Sequence, residues 1–158
     1  MTWRGRSPAI VFALILCLAA GGCGEKDERK QQTGETGISK QNPLFRCFEN
    51  ENPGREVVKC AMADLNNDGR DDLVVMYRAG KDKNMMRVML DTGEGCLSTN
   101  EVPAPHSNQT ILFRDIDKKP PMEFIVQGAR GAKIGYAIFR VESDRLIDLF
   151  GEGMEDCC

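Results

Sequence analysis

Histidine is nearly absent from this chain: His106 is the only one in 158 residues. No cysteines stand as C-x-x-C and none is followed by histidine, which excludes covalent haem and leaves zinc without a local ligand set. His106 itself lies in Val102-Pro-Ala-Pro-His-Ser-Asn108, a segment expected to be a solvated loop. There is no G-x-S-x-G and no cysteine–histidine pairing beside an acid, so an enzyme is not expected. Basic residues do not gather on one stretch and the formal charge is −3, which argues against nucleic acid as a partner. Helix signals are few.

The N-terminal segment reads as an export signal. Arg4 and Arg6 precede the apolar run Ala9 to Ala20. The run has the length of a signal-peptide core and falls short of the about 20 residues that span a bilayer. It ends in Ala20-Gly-Gly-Cys23, small residues before a cysteine. That pattern resembles a bacterial lipobox, which implies acylation of Cys23, although Ala20 stands where the pattern prefers leucine. Removing Arg4 and Arg6 takes the formal charge from −3 to −5. Gly24 to Pro43 is polar and lacks apolar periodicity, as in a solvated, flexible tether. Gly24 is not the aspartate that retains lipoproteins at the inner membrane in enteric bacteria, which favours the outer membrane. The expected organisation is a leader over 1–22, a lipidated tether over 23–43 and a β domain over 44–158.

The richest motif is Asp64-Leu-Asn-Asn-Asp-Gly-Arg-Asp-Asp72. Calcium takes about 6–8 oxygen ligands, and alternate residues of a tight loop can deliver them. Asp64, Asn66, Asp68 and Asp72 offer side-chain oxygens, Arg70 a backbone carbonyl, and Gly69 suits the tightest turn. An ordinary Asx-rich turn would also use Asn67-Asp68-Gly69. It would not need so many spaced acids, which repel one another unless a cation lies among them. An EF-hand is ruled out because its twelfth position, which requires a bidentate acid, is Val75. Leu73-Val-Val-Met-Tyr77 follows and favours a strand.

With the last acid at position nine and a strand directly after it, the stretch resembles an FG-GAP/VCBS repeat, the unit of integrin-type β-propellers. The likeness is specific over Ala63–Val75 and looser over about 57–150. Asp115-Ile-Asp-Lys-Lys-Pro-Pro-Met-Glu123 echoes the first loop without a gap: Asp115 on Asp64, Asp117 on Asn66, Glu123 on Asp72. Such periodicity marks a repeat architecture. Lys119 and Pro120 replace Asp68 and Gly69, so the second loop is expected to keep the turn and lose the metal. The resemblance implies an all-β domain of two propeller-blade-like units, about 57–108 and 109–158. Two units are too few to close a propeller of about 4–8 blades. It also implies a structural calcium ion and a role in binding an envelope protein or glycan.

Strands are expected over 56–63, 72–78, 85–90, 110–113, 122–127, 134–141 and 146–150, with Met85, Met86 and Met89 filling core. Tyr136, Ile138 and Phe139 are also expected to supply core. Cys17 leaves with the leader and Cys23 takes lipid. Cys47, Cys60, Cys96, Cys157 and Cys158 remain, an odd number for an oxidising compartment. Cys47–Cys60 and Cys96 with Cys157 or Cys158 are the preferred pairs. The odd thiol supports an alternative reading, a disulfide-linked or redox-sensitive assembly factor.

Overall fold

The computed structural model describes Met1, Ile38 and residues 40–158, apart from the side chains of residues 155 and 157. The leader beyond Met1, Cys23 and most of the expected tether lie outside the described residues. Within them the protein is all-β: two antiparallel sheets, neither closed into a barrel. The chain runs α1 (Pro43–Glu51), β1 (Val57–Ala63), β2 (Asp72–Gly80), β3 (Lys83–Asp91), β4 (Cys96–Ser98), β5 (Val102–Ala104), β6 (Ser107–Arg114), β7 (Glu123–Arg130), β8 (Lys133–Glu142), β9 (Arg145–Glu152) and α2 (Met154–Cys157). The first sheet has the order β1-β2-β3-β4, with β5 also on β3. The second is the meander β6-β7-β8-β9.

The first sheet is buried on both faces. Val74, Met76, Met86, Val88 and Leu90 meet Phe124, Val126, Ala137, Phe139 and Val141 of the second sheet. On the other face Leu73, Val75, Tyr77, Met85 and Met89 lie beneath Leu44, Phe45 and Phe48 of α1. This explains why Leu73 to Tyr77 runs apolar without alternation: a strand covered on both sides has no solvent face to mark. All three methionines are core, at 8%, 0% and 0% exposed.

Helix α1 has few local helix signals, and it begins at Pro43, just inside the expected tether. Its start is nevertheless well built. The Asn42 side chain accepts the N–H groups of Leu44 (2.8 Å) and Phe45 (3.2 Å), and proline occupies the first turn, where no N–H is needed. Its apolar face is short, and Phe48 alone, fully buried against Tyr77, contributes about 1.5–3 kcal/mol.

The two units stack head to tail. At an offset of 51 residues Leu73 corresponds to Phe124 and Val74 to Ile125. Leu73 faces α1, whereas Phe124 faces the first sheet. Opposite faces of the two units therefore meet, and the Ile125 face of the second sheet is turned away from the first sheet, half-buried at Leu112, Ile125 and Ile138 and exposed at Phe150. On it Leu112, Ile125, Ile138 and Phe150 form one cross-strand row. This corrects one expectation: Phe139 is core at 2% exposed, but Ile138 and Tyr136 point outward. A one-residue alternation decides which is which. The units are joined through Ala104-Pro105, which crosses β7 at Gly128. A Cβ there would sit 2.2 Å from Pro105 Cβ, so only glycine admits this crossing.

Candidate metal centre

Both acidic loops share one hydrogen-bond skeleton. The Leu65 N–H donates to Asp72 Oδ2 at 3.0 Å, and the Ile116 N–H to Glu123 Oε2 at 2.9 Å. The Asp68 N–H donates to Asn66 Oδ1 at 3.0 Å, and the Lys119 N–H to Asp117 Oδ1 at 2.9 Å. Asn67 and Lys118 both take left-handed φ, 62° and 60°. Each pair is separated by 51 residues, so the echo in the residues is also an echo in the backbone.

The first loop is wound more tightly. Asp64 accepts the N–H groups of Asp68 (3.1 Å) and Gly69 (2.9 Å), and Asp68 Oδ1 accepts that of Arg70 (2.9 Å). Gly69 has φ 85°, which a side chain would strain. Asp64, Asn66, Asp68 and Gly69 thus form one hydrogen-bonded turn, with Asp71 exposed outside it. Asp72 is set apart from the exposed acids. It is 0% exposed, and its second oxygen accepts the Asp91 N–H at 2.9 Å. Burial pushes its carboxyl up to about 6, and the nearby charges of Asp68 and Asp64 add to the rise against the two N–H bonds. Arg70 pairs with Asp68 at 2.7 Å and reaches Asp91 at 3.8 Å. The Arg70 backbone N–H, first, holds the Asp68 carboxyl below its ordinary value.

In the second loop Asp115, Asp117 and Glu123 place carboxylate oxygens within 4.8 Å of one another. A guanidinium occupies that gathering: Arg140 Nη2 bonds Asp117 Oδ2 at 2.6 Å and also Glu123 Oε1. Glu123 is 1% exposed, so its charge is compensated by the arginine rather than by water. The Arg140 bond holds the Asp117 carboxyl below its usual range, and the two acids, Glu123 first, hold the guanidinium above its own. Sequence reasoning missed Arg140. It lies 17 residues beyond Glu123, and only strand register brings it there.

That register exposes the difference between the loops. Phe124 pairs with Phe139 and Leu73 with Met89, so the position of Arg140 is held in the first unit by Leu90. Residues 64–72 sum to a formal −3. Residues 115–123 with Arg140 sum to zero.

The cysteines pair otherwise than expected. Cys47 on α1 is bonded to Cys96 on β4, which corrects both Cys47–Cys60 and the pairing of Cys96 with Cys157 or Cys158. Cys60 faces into the α1 side of the first sheet, buried and free, and burial pushes its thiol up. The entering helix is therefore tied across the sheet to the β3–β4 hairpin rather than to the first strand. Glu51 stands beside the bridge, within 4.8 Å of both sulfurs, but disulfide sulfurs are not thiolate ligands. Cys158 lies near the β7–β8 end, where its carbonyl accepts from Arg130 at 3.2 Å. His106 is half-buried rather than fully solvated, and its carbonyl accepts from Asn84 and Gln109.

Comparison with protein-family models, with curated proteins and with solved structures returns no match for this chain.

Proposed function

We propose that this chain is an envelope lipoprotein of the FG-GAP/VCBS type, whose first loop takes a structural calcium ion and whose β domain binds a protein or glycan. The observation that carries the metal reading is the contrast between Arg140 and Leu90. Two loops with one hydrogen-bond skeleton bury an acid at the same position. One is neutralised by an internal guanidinium, and the other has an aliphatic side chain there and an uncompensated −3. Asp64, Asn66, Asp68 and Asp72 with the Arg70 carbonyl are the oxygens this reading assigns to the ion; the carboxylates that gather within 4.8 Å in the structure are those of the second loop, so the first-loop oxygens would have to draw together around the cation. Arg70 is the nearest positive charge, but it is 44% exposed and is spent on Asp68 and Asp91.

Calcium should raise the melting temperature of the wild type over that in chelator, and Asp68→Ala should remove the difference. Equal curves for the wild type with and without calcium would contradict the proposal. The outward row Leu112, Ile125, Ile138 and Phe150 supports a binding role, because an apolar sheet face of this kind marks contact with a partner. The lipid anchor rests on Ala20-Gly-Gly-Cys23 alone. Labelling with an alkynyl fatty acid should mark the wild type and not Cys23→Ser. The alternative of a redox-sensitive assembly factor rests on Cys157-Cys158; the buried Cys60 thiol does not favour it.

A further inference from the structure

On the side of the molecule where the β2–β3 turn, β5 and α2 meet, the two sheets leave a cleft of about 580 Å³. Small-molecule sites span about 300–1,000 Å³. The walls are mostly apolar, with Val102 and Pro103 from β5, Phe139 from β8 and Met154 from α2. Its polar groups are mainly acceptors. Asp82 and Asp148 bring carboxylates from opposite sheets, and Lys83 is the one cation in the lining. Asn84 also lines it and is 2% exposed. Its Nδ2 is spent on the carbonyls of Pro105 (2.9 Å) and His106 (3.2 Å), while Oδ1 is buried and meets no donor among the described residues. A buried carbonyl left without a donor is costly, so the Asn84 side chain has reason to turn toward an occupant that brings an N–H group.

We infer that this cleft binds a small molecule with an apolar body and a protonated amine. The body displaces water from the half-buried Val102 and Met154 and rests on the edge of the core at Phe139. The ammonium is a donor without an acceptor and suits a lining that brings the Asp82 and Asp148 carboxylates from opposite sheets. A carboxylate in the same place would face both acids with Lys83 alone to offset them. The inference uses neither acidic loop and does not depend on the calcium reading.

Hexylammonium, hexanol and hexanoate are suitable probes, titrated into the isotopically labelled full chain. Hexylammonium should give saturable shifts at the Asn84 side-chain amide and the Val102 methyls, with affinity at least about fivefold above that of hexanoate. Asp148→Asn, an exposed position, should narrow that gap. Val102→Trp, which fills the cleft, should abolish the shifts at an unchanged melting temperature. If that variant fails to fold, Asp148→Asn carries the test. Equal affinity for the three probes, or no saturable shift with any of them, would overturn the inference.

Discussion

At the residue scale the difference between the two loops lies in which side chain compensates a buried acid. Arg140 does so for Glu123, and removing it leaves a charge at 1% exposure with no cation beside it. Arg140→Leu, which copies Leu90, is expected to destabilise the fold by about 3 kcal/mol, read as a fall in the urea midpoint. A second residue-scale test lies at Tyr77, whose hydroxyl donates to Glu101, with Arg87 bonding the same oxygen at 2.6 Å. The Tyr77 hydrogen bond, first, holds the Glu101 carboxyl below its ordinary value of 4.5. Its contribution is therefore present above pH 4.5 and is lost as pH falls through the lower folded value. Burial pushes the Tyr77 phenol up to about 12, so stability declines again as pH rises from about 10 toward 12. Tyr77→Phe should flatten both limbs of the stability–pH curve. Both limbs unchanged would show that the pair has no such role. None of this was legible in the chain, because Tyr77 and Glu101 are 24 residues apart and meet only through the folding of β5 along β3.

At the element scale, strands and helices were legible to different degrees. The seven expected strands are present, most of them longer at one or both ends, because alternation and Asp/Gly turns are local signals. The short strands β4 and β5 escaped notice. Three residues carry no periodicity, and β5 contains Pro103, which suits only an edge. Helix α1 escaped because its apolar face is three residues wide within nine, although Asn42-Pro43 is a usable start signal in retrospect. The Cys47–Cys96 bridge closes a separation of 49 residues and clamps α1 to the hairpin that carries Cys96. The chain-entropy argument assigns such a bridge about 4 kcal/mol. Paired Cys47→Ala and Cys96→Ala substitutions should lower stability by up to that amount. Amide exchange should quicken first over residues 43–51 and leave β7 and β8 protected. Uniform loss of protection across both sheets would mean that α1 is not the element the bridge holds.

At the scale of the whole molecule, the echo of two loops foretold two units but not how they stack. Head-to-tail packing puts the first sheet at the centre, under α1 on one side and the second sheet on the other, and leaves the Ile125 face outward. A sequence repeat specifies each unit's own alternation. It does not specify which face of one unit meets which face of the next, since both faces of the first sheet are apolar. The same arrangement sets the two loops in different surroundings: Leu65 is 0% exposed at the seam, while its counterpart Ile116 is 44% exposed. Arg140 settles the charge of the second loop, and the proposal gives that part to calcium in the first. The most direct measurement is calcium binding by equilibrium dialysis at millimolar concentrations of the ion. One ion per chain is expected, with affinity in the range of about 10⁻⁴–10⁻³ M. It should be lost in Asp64→Ala and Asp68→Ala and retained in Asp115→Ala. No bound ion in the wild type, or binding that survives Asp64→Ala and vanishes in Asp115→Ala, would contradict the account.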